Sequence, residues 1–356
     1  MQIRHGAIRT NFNMTKLLQT RFTGCLLGAA IGDSLGMGYT GCSAANIQAR
    51  GGGHEFMPGD ISSVTVVVPV GELGDTEIGQ PLASGQWTED TQLLLALTTS
   101  LLEEGGVFVP ESWSHSLVRW VNDEPRQPGT STIQAALQLR TAGVFWDEAA
   151  DPDGAGSGPA ARVAPIALLF GDNADSEIRR RNAVLQAQVT HGHPDAHAAA
   201  LAMSEAIAML LQISPADRRD WQGVAFLRTI HDLVTNSSPR YEEFARCISI
   251  ATNLLVDGVD RADAIRAIGT SGYCREAVPC ALYILASDPE DPERLIMDAV
   301  RLTGDATDTI GCLVGALTGA LHGVDALPKR WRDEVEDSER IQELAIRLHG
   351  MHSFLP

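Results

Sequence analysis

Apolar positions are unevenly patterned along the chain. Residues 1–19 are polar and lack helical spacing, so they read as an extension. From Thr20 the spacing becomes helical, through FTGCLLGAAIGDSLG. A glycine-rich, irregular stretch follows from about Met37 to Gln86, with GGG at Gly51–Gly53 and one strand-like run, SSVTVVVPV. From Thr88 onward nearly everything reads as helix. The apolar blocks are TQLLLALTTSLLEE, TIQAALQL, AARVAPIALLF, AHAAALAMSEAIAMLLQI, YEEFARCISIATNLL, REAVPCALYILA, ERLIMDAVRL and TIGCLVGALTGALHG. Short loops rich in Gly, Pro, Asp and Ser separate them, the clearest being DPDGAGSG at Asp151–Gly158. No repeat at solenoid period is present. The pattern predicts an all-α fold: one compact helical domain over residues 21–356 behind an extension of residues 1–20.

Thirty-four glycines are many for a helical chain. Gly24, Gly28 and Gly32 fall four apart, as do Gly311, Gly315, Gly319 and Gly323, which puts each set on one stripe of a helix. An interior glycine costs roughly 1 kcal/mol relative to alanine. The stripes are therefore expected to be offset by close backbone packing, with the two helices at the centre and their ends together. Membrane dimerisation is the competing use of such a stripe. The longest uncharged apolar run, Ile310 to Val324, is shorter than the ~20 residues a span needs.

Charge narrows the function. The formal net charge is -18 and the pI about 4.9, a field that repels nucleic acid. No Asp or Glu precedes Asp33, whereas Arg4, Arg9, Lys16 and Arg21 do, so the extension is a basic arm on an acidic body. The six cysteines contain no Cys-x-x-Cys pair, which argues against a thiolate zinc site and for a reducing cytoplasm. MQIRHGAIRTNFNM has no apolar core and is not a secretory signal.

Two segments place Thr and carboxylates at the start of an apolar helix: Thr88, Glu89, Asp90 and Thr91 in WTEDTQLLLAL, and Asp305, Thr307, Asp308 and Thr309 in GDATDTIGCLVGAL. Capping accounts for either alone, with Thr88 and Thr307 as N-caps and the acids complementing the helix dipole. If the glycine stripes bring the two starts together, the carboxylates converge, and converging carboxylates repel unless protonated or bridged by a cation. Their hard oxygens suit Mg²⁺ or Mn²⁺. GSGPAARVAP, from Gly156, is a glycine-rich loop whose N–H groups could cradle a phosphate or ribose; an ordinary loop with Pro159 opening a helix is the plain alternative. His191, His193 and His197 suggest zinc, but Pro194 breaks any single-face arrangement. Tyr273, after Gly272, is placed to stack on a purine or to be buried.

In this order, GAAIGDSLG (Gly28–Gly36), GQWTEDT (Gly85–Thr91), GSGPAARVAP (Gly156–Pro165), THGHPDA (Thr190–Ala196), SGYCREAVPCALY (Ser271–Tyr283) and GDATDTIGCLVGALTGALHG (Gly304–Gly323) resemble the ADP-ribosylglycohydrolase family, from about Phe22 to the C-terminal helix. The resemblance implies an orthogonal bundle of helices around a cleft with a one- or two-ion Mg²⁺ or Mn²⁺ site. Carried over, the metal ligands are Thr88, Glu89, Asp90, Asp308 and Thr309. Asp90 and Asp308 are the main catalytic candidates, with Asp33 at a helix end nearby, where a capping role competes. Gly156, Ser157, Gly158, Pro159 and Ala160, with His191, would hold the diphosphate or ribose, and Gly272 and Tyr273 would flank the adenine.

The chain departs from the family pattern in three places. Ala306 stands where a ligating Asp is usual, Glu89 replaces an Asp, and Thr40 stands where many members carry a Glu. At least one metal position is expected to be weakened. The implied activity is hydrolysis of ADP-ribose from a modified protein side chain, arginine first. The alternative is an immunity protein that blocks an ADP-ribosyltransferase toxin, its arm (Arg4, Arg9) occluding the toxin's active site.

Overall fold

The computed structural model describes residues 3–58, 66–69, 75–78, 81–171 and 176–353; side chains of residues 3–14 and of both strands lie outside the description. Helices α1 (Ile3–Met37) and α2 (Ala44–Ala49) precede an antiparallel pair, β1 (Val66–Pro69) and β2 (Asp75–Ile78). Then come α3 (Glu89–Glu103), α4 (Pro110–Asn122), α5 (Thr130–Leu139), α6 (Gly158–Ala161), α7 (Ala164–Leu169), α8 (Ser176–Gln188) and α9 (Pro194–Gln212). The rest is α10 (Gly223–Ser237), α11 (Glu242–Val256), α12 (Arg261–Ile268), α13 (Cys274–Ser287), α14 (Pro292–Val300), α15 (Thr307–His322), α16 (Lys329–Glu334) and α17 (Ser338–His352). The fold is all-α apart from the short hairpin, which lies within the strand-like run and its sequel.

The N-terminal boundary differs from the expectation. Helix α1 begins at Ile3 rather than at Thr20, so the segment read as an extension is the first part of one long helix. Gly6, Thr10, Asn11 and Asn13 are weak helix formers, so the sequence gives little sign of a helix there. The side chains of Arg4 and Arg9, on which the transferase-blocking reading depends, lie outside the described residues.

The centre is the antiparallel contact of α1 with α15. A methyl added at Gly24 would sit 2.6 Å from the Gly319 carbonyl oxygen, and one at Gly28, Gly32 or Gly36 would overlap Gly315, Gly311 or Thr307 backbone. The reverse holds: methyls at Gly311, Gly315 and Gly319 would overlap the carbonyls of Gly32, Gly28 and Gly24. The stripes therefore meet each other, backbone on backbone, and the end of α1 lies beside the start of α15. Helix α9 is buried almost all round, from Asp195 to Leu211, as its near-continuous apolar run requires. Its one internal acid, Glu205, is paired with Arg179 at 2.9 Å, which offsets the cost of a buried charge. All six cysteines are free thiols, and Cys25, Cys274, Cys280 and Cys312 are buried. No helix among the described residues is long and apolar enough to cross a membrane.

Gly315→Ala is expected to destabilise the protein by about 3 kcal/mol or more, because the obstruction is backbone that cannot rotate away. Gly350→Ala on α17, where an added methyl meets nothing within 4 Å, should gain up to about 1 kcal/mol of helix propensity. Denaturant melts of the two variants check the contrast; equal effects would mean that the stripes do not touch.

Candidate active site

The meeting of α1 and α15 sets the floor of a cleft of about 480 Å³. Seven segments converge on it: Thr40 just beyond α1; Thr88, Glu89 and Asp90 at the start of α3; Gln127–Thr132; Gly156–Gly158; His191; Gly272; and Asp305, Ala306, Asp308 and Thr309 around the start of α15. Thus the two acidic helix starts, more than two hundred residues apart in sequence, share one cavity.

Asp33 docks α3 onto α1. It is fully buried. Its Oδ1 accepts from Thr88 Oγ1 at 2.8 Å, and its Oδ2 accepts from Thr91 N at 3.0 Å and Thr91 Oγ1 at 2.6 Å. Thr88 N reaches both oxygens at 3.1 Å. Expected among the catalytic carboxylates, Asp33 is instead placed behind the cleft as a cap supplied by another helix, meeting donors that the first turn of α3 leaves unpaired. Thr88 is the N-cap of α3, as expected: its Oγ1 accepts from Asp90 N at 3.3 Å.

Helix α15 starts differently. Its N-cap is Ala306, with no side-chain cap, and not Thr307. Thr307 turns its hydroxyl to Gly36 O at 3.0 Å and to Thr40 Oγ1 at 3.0 Å, tying α15 to the end of α1. That tertiary bond outcompetes local capping. The Ala306 side chain offers the cleft a methyl group.

The carboxylates are costly where they stand. Glu89 and Asp90 are buried. Glu89 Oε1 accepts from Gly129 N at 2.6 Å, an approach that an added methyl at Gly129 would obstruct. Glu89 Oε2 is buried with no partner. Burial first, against the Gly129 N–H and Arg162, pushes the Glu89 carboxyl up to about 7. Asp90 is raised well above the carboxylate range by burial and then by the charges of Asp33, Asp308 and Glu89. Asp308 is half-buried, open to the cleft yet walled in by protein. Burial pushes it up to about 6, although Thr309 N donates to its Oδ1 at 2.9 Å. Asp33 is pushed up to about 7, by burial and then by Asp308.

Among the described residues no three acidic, histidine or cysteine side chains gather as a metal cluster. The donor set nevertheless fits a hard divalent cation: the carboxylates of Asp90 and Asp308 and the hydroxyls of Thr88 and Thr309.

The expected ligand loop is placed in part. Gly156, Ser157, Gly158, His191 and Gly272 line the cavity, whereas Pro159, Ala160 and Tyr273 do not. Pro159 and Ala160 are buried in α6. Tyr273 points its hydroxyl to Asp195 Oδ2 at 3.3 Å and lies under the Arg275 guanidinium. The loop is strapped to the 271–274 segment: Ser157 N and Oγ both donate to Gly272 O at 3.0 Å, and Cys274 N donates to Ala155 O at 3.0 Å. The three histidines are each engaged separately. His191 bonds Thr190, His193 caps α9, and His197 Nε2 bonds His191 O. Sequence reasoning missed the Gln127–Thr132 wall and Arg162. The signal for Arg162 was a lone arginine inside the apolar run GPAARVAPIALLF.

The raised Glu89 carboxyl has a thermodynamic consequence. In chelator, the folded chain holds a proton on Glu89 that the unfolded chain releases near pH 4. Wild-type stability relative to Glu89→Gln is therefore expected to fall as pH rises from about 4 to about 7. Paired thermal melts across that window check the sign; a difference that grows with pH would mean that Glu89 is ionised and well partnered.

The ADP-ribosylglycohydrolase profile matches residues 14–353. An uncharacterized protein of Archaeoglobus fulgidus is 31% identical, over 94% of this chain and 98% of its own. ADP-ribosylarginine hydrolase Tri1 of Pseudomonas putida is 27% identical, over 92% of this chain and 77% of its own. ADP-ribosylhydrolase ARH3 of Homo sapiens is 27% identical, over 93% of each. A solved structure described as an ADP-ribosylglycohydrolase-related protein complex superposes with a TM-score of 0.64 at 25% identity, covering 95% of this chain and 99% of that one. With the family profile spanning almost the whole fold and its cleft, the chain belongs to the ADP-ribosylglycohydrolase family.

Proposed function

We propose that the protein is a divalent-metal-dependent hydrolase that releases ADP-ribose from modified protein side chains, arginine foremost. The observation that carries this is the convergence of the α3 and α15 starts on one acidic cleft, in a chain whose relatives are named as ADP-ribosyl hydrolases. Arginine is favoured because the exposed Asp305 also lines the cleft, a charge that attracts a guanidinium.

Asp90, Asp308, Thr88 and Thr309 would hold the cation. One Mg²⁺ or Mn²⁺ ion is proposed rather than two, since Ala306 offers no oxygen where a further ligand would stand. When bound, the ion supplies polarisation of ribose hydroxyls and of a water. The chain's own residues do the rest. Gly156–Gly158 and His191 hold the ligand against the cleft wall. Thr40 contributes a hydroxyl already bonded to Thr307 and cannot take a proton as a carboxylate would. Glu89 can: Oε1 is pinned by Gly129 and Oε2 has no partner, which leaves one carboxylate oxygen for a general base. Water oxygen bonds to C1″ of the ribose as the C1″–N bond breaks through an oxocarbenium-like state. Glu89 takes one proton of that water and passes it to the leaving guanidine nitrogen, so that the carboxylate is regenerated.

Release of ADP-ribose from an arginine-ADP-ribosylated protein in Mg²⁺ or Mn²⁺ tests this. Glu89→Gln should lower kcat by about 100-fold or more, the usual contribution of a general base. Asp90→Asn should abolish the metal-dependent release. Ala306→Asp should raise turnover and, with metal present, add about 1 kcal/mol of stability by capping α15. Absence of release from both wild type and Ala306→Asp would sink the arginine-hydrolase reading.

A further inference from the structure

Two buried groups behind the cleft wall take no part in the reaction as written: Arg162 and Thr190, both 0% exposed. Arg162 donates from Nε to Gln186 Oε1 at 2.8 Å and from Nη2 to Thr190 Oγ1 at 2.7 Å. Thr190 Oγ1 in turn lies 2.8 Å from His191 Nδ1. A guanidinium only donates, so Thr190 Oγ1 accepts from it. The threonine's own proton then has two destinations: His191 Nδ1 at 2.8 Å or Ala187 O at 3.5 Å. The shorter contact takes it, since 3.5 Å is beyond useful range. His191 Nδ1 is therefore an acceptor, and a neutral imidazole whose Nδ1 accepts carries its proton on Nε2.

A separate observation concerns the other ring nitrogen. An added methyl at Gly156 would stand 3.2 Å from His191 Nε2, so this glycine leaves that atom uncovered. Among the described residues nothing bonds Nε2, and His191 lines the cleft. The ring also stays neutral at ordinary pH: burial, then the charges of Arg162 and His197, hold it well below the usual histidine range.

We propose that an Arg162–Thr190–His191 relay locks His191 in the Nε2–H tautomer and presents a fixed hydrogen-bond donor to the cleft, reading a ligand oxygen that carries no hydrogen of its own, as on a diphosphate. His191 is then a ligand-binding donor and not a base, because its cleft-facing nitrogen is already protonated. Arg162 and Thr190 are positioning residues that act through it. The ligand's identity rests on the ADP-ribose reading above; the tautomer does not.

The test is nitrogen NMR of the full chain labelled with ¹⁵N-histidine at neutral pH, the His191 signals being assigned by their loss in His191→Gln. The expected result without ligand is a bare Nδ1 and a protonated Nε2. Thr190→Val keeps the side-chain shape and removes the relay: the tautomers should mix, and the Kd for ADP-ribose should weaken by about tenfold, one hydrogen bond's contribution. Thr190→Ser should restore both. Gly156→Ala should weaken ADP-ribose binding while leaving the tautomer intact. A protonated Nδ1 in the wild type overturns the proposal, and so does a folded Thr190→Val chain with unchanged tautomer and affinity. If Thr190→Val does not fold, the wild-type spectrum and Gly156→Ala decide. A wild-type chain with the expected tautomer but no ADP-ribose binding would uphold the relay and overturn the ADP-ribose reading.

Discussion

Helices α1 and α15 touch through their backbones, and the cleft depends on that contact. Side chains ordinarily hold helix axes 8–10 Å apart. Here glycines at four-residue spacing remove them on both partners, and each carbonyl faces the α-carbon of the opposite glycine. Such approach permits Cα–H···O contacts but permits no adjustment, since backbone cannot change rotamer. The antiparallel register places the end of α1 against Thr307 at the start of α15. Asp33, four residues before α1 ends, then captures the start of α3 with both oxygens. Two helix N-termini with their acids are thereby fixed to one point.

That construction concentrates negative charge in a poorly solvated place. Glu89, Asp90 and Asp308 all hold their protons more tightly than free carboxyls do. A cleft arranged this way gains from any cation it takes up. Ala306 and Thr40 present a methyl and a hydroxyl, not carboxylates, to this cleft. In the proposed reading they leave room for one ion and leave the proton-accepting role to Glu89, whose side chain is anchored at one oxygen by Gly129.

The opposite wall is polar in a different way. Arg162 is an uncommon residue to find at full burial, and it is tolerated because Gln186, Thr190 and the face of Trp113 receive it. Its charge balances part of the acidic floor, as its influence on Glu89 shows. Acid, arginine and glycine loop thus belong to one electrostatic unit, although they come from distant parts of the chain.

The all-α class was legible in the sequence, because apolar spacing repeats at the helical period wherever a helix buries one face. The glycine stripes were legible too, and so was the meeting of their ends, since interior glycines carry a cost that only close packing offsets. Thr88 as a cap followed from local chemistry alone. What local chemistry could not settle was any choice between a near partner and a far one. Thr307 abandons the cap position for Gly36 and Thr40, and Asp33 turns from the cleft to four donors on α3. The polar first part of α1 is helical without an apolar stripe to announce it. The Gln127–Thr132 wall shows no pattern, and the lone Arg162 in its apolar run shows a buried charge but not its partners, because these come from other segments. Periodicity records which faces are buried; only the tertiary structure decides which hydrogen-bond partner a buried polar group finds.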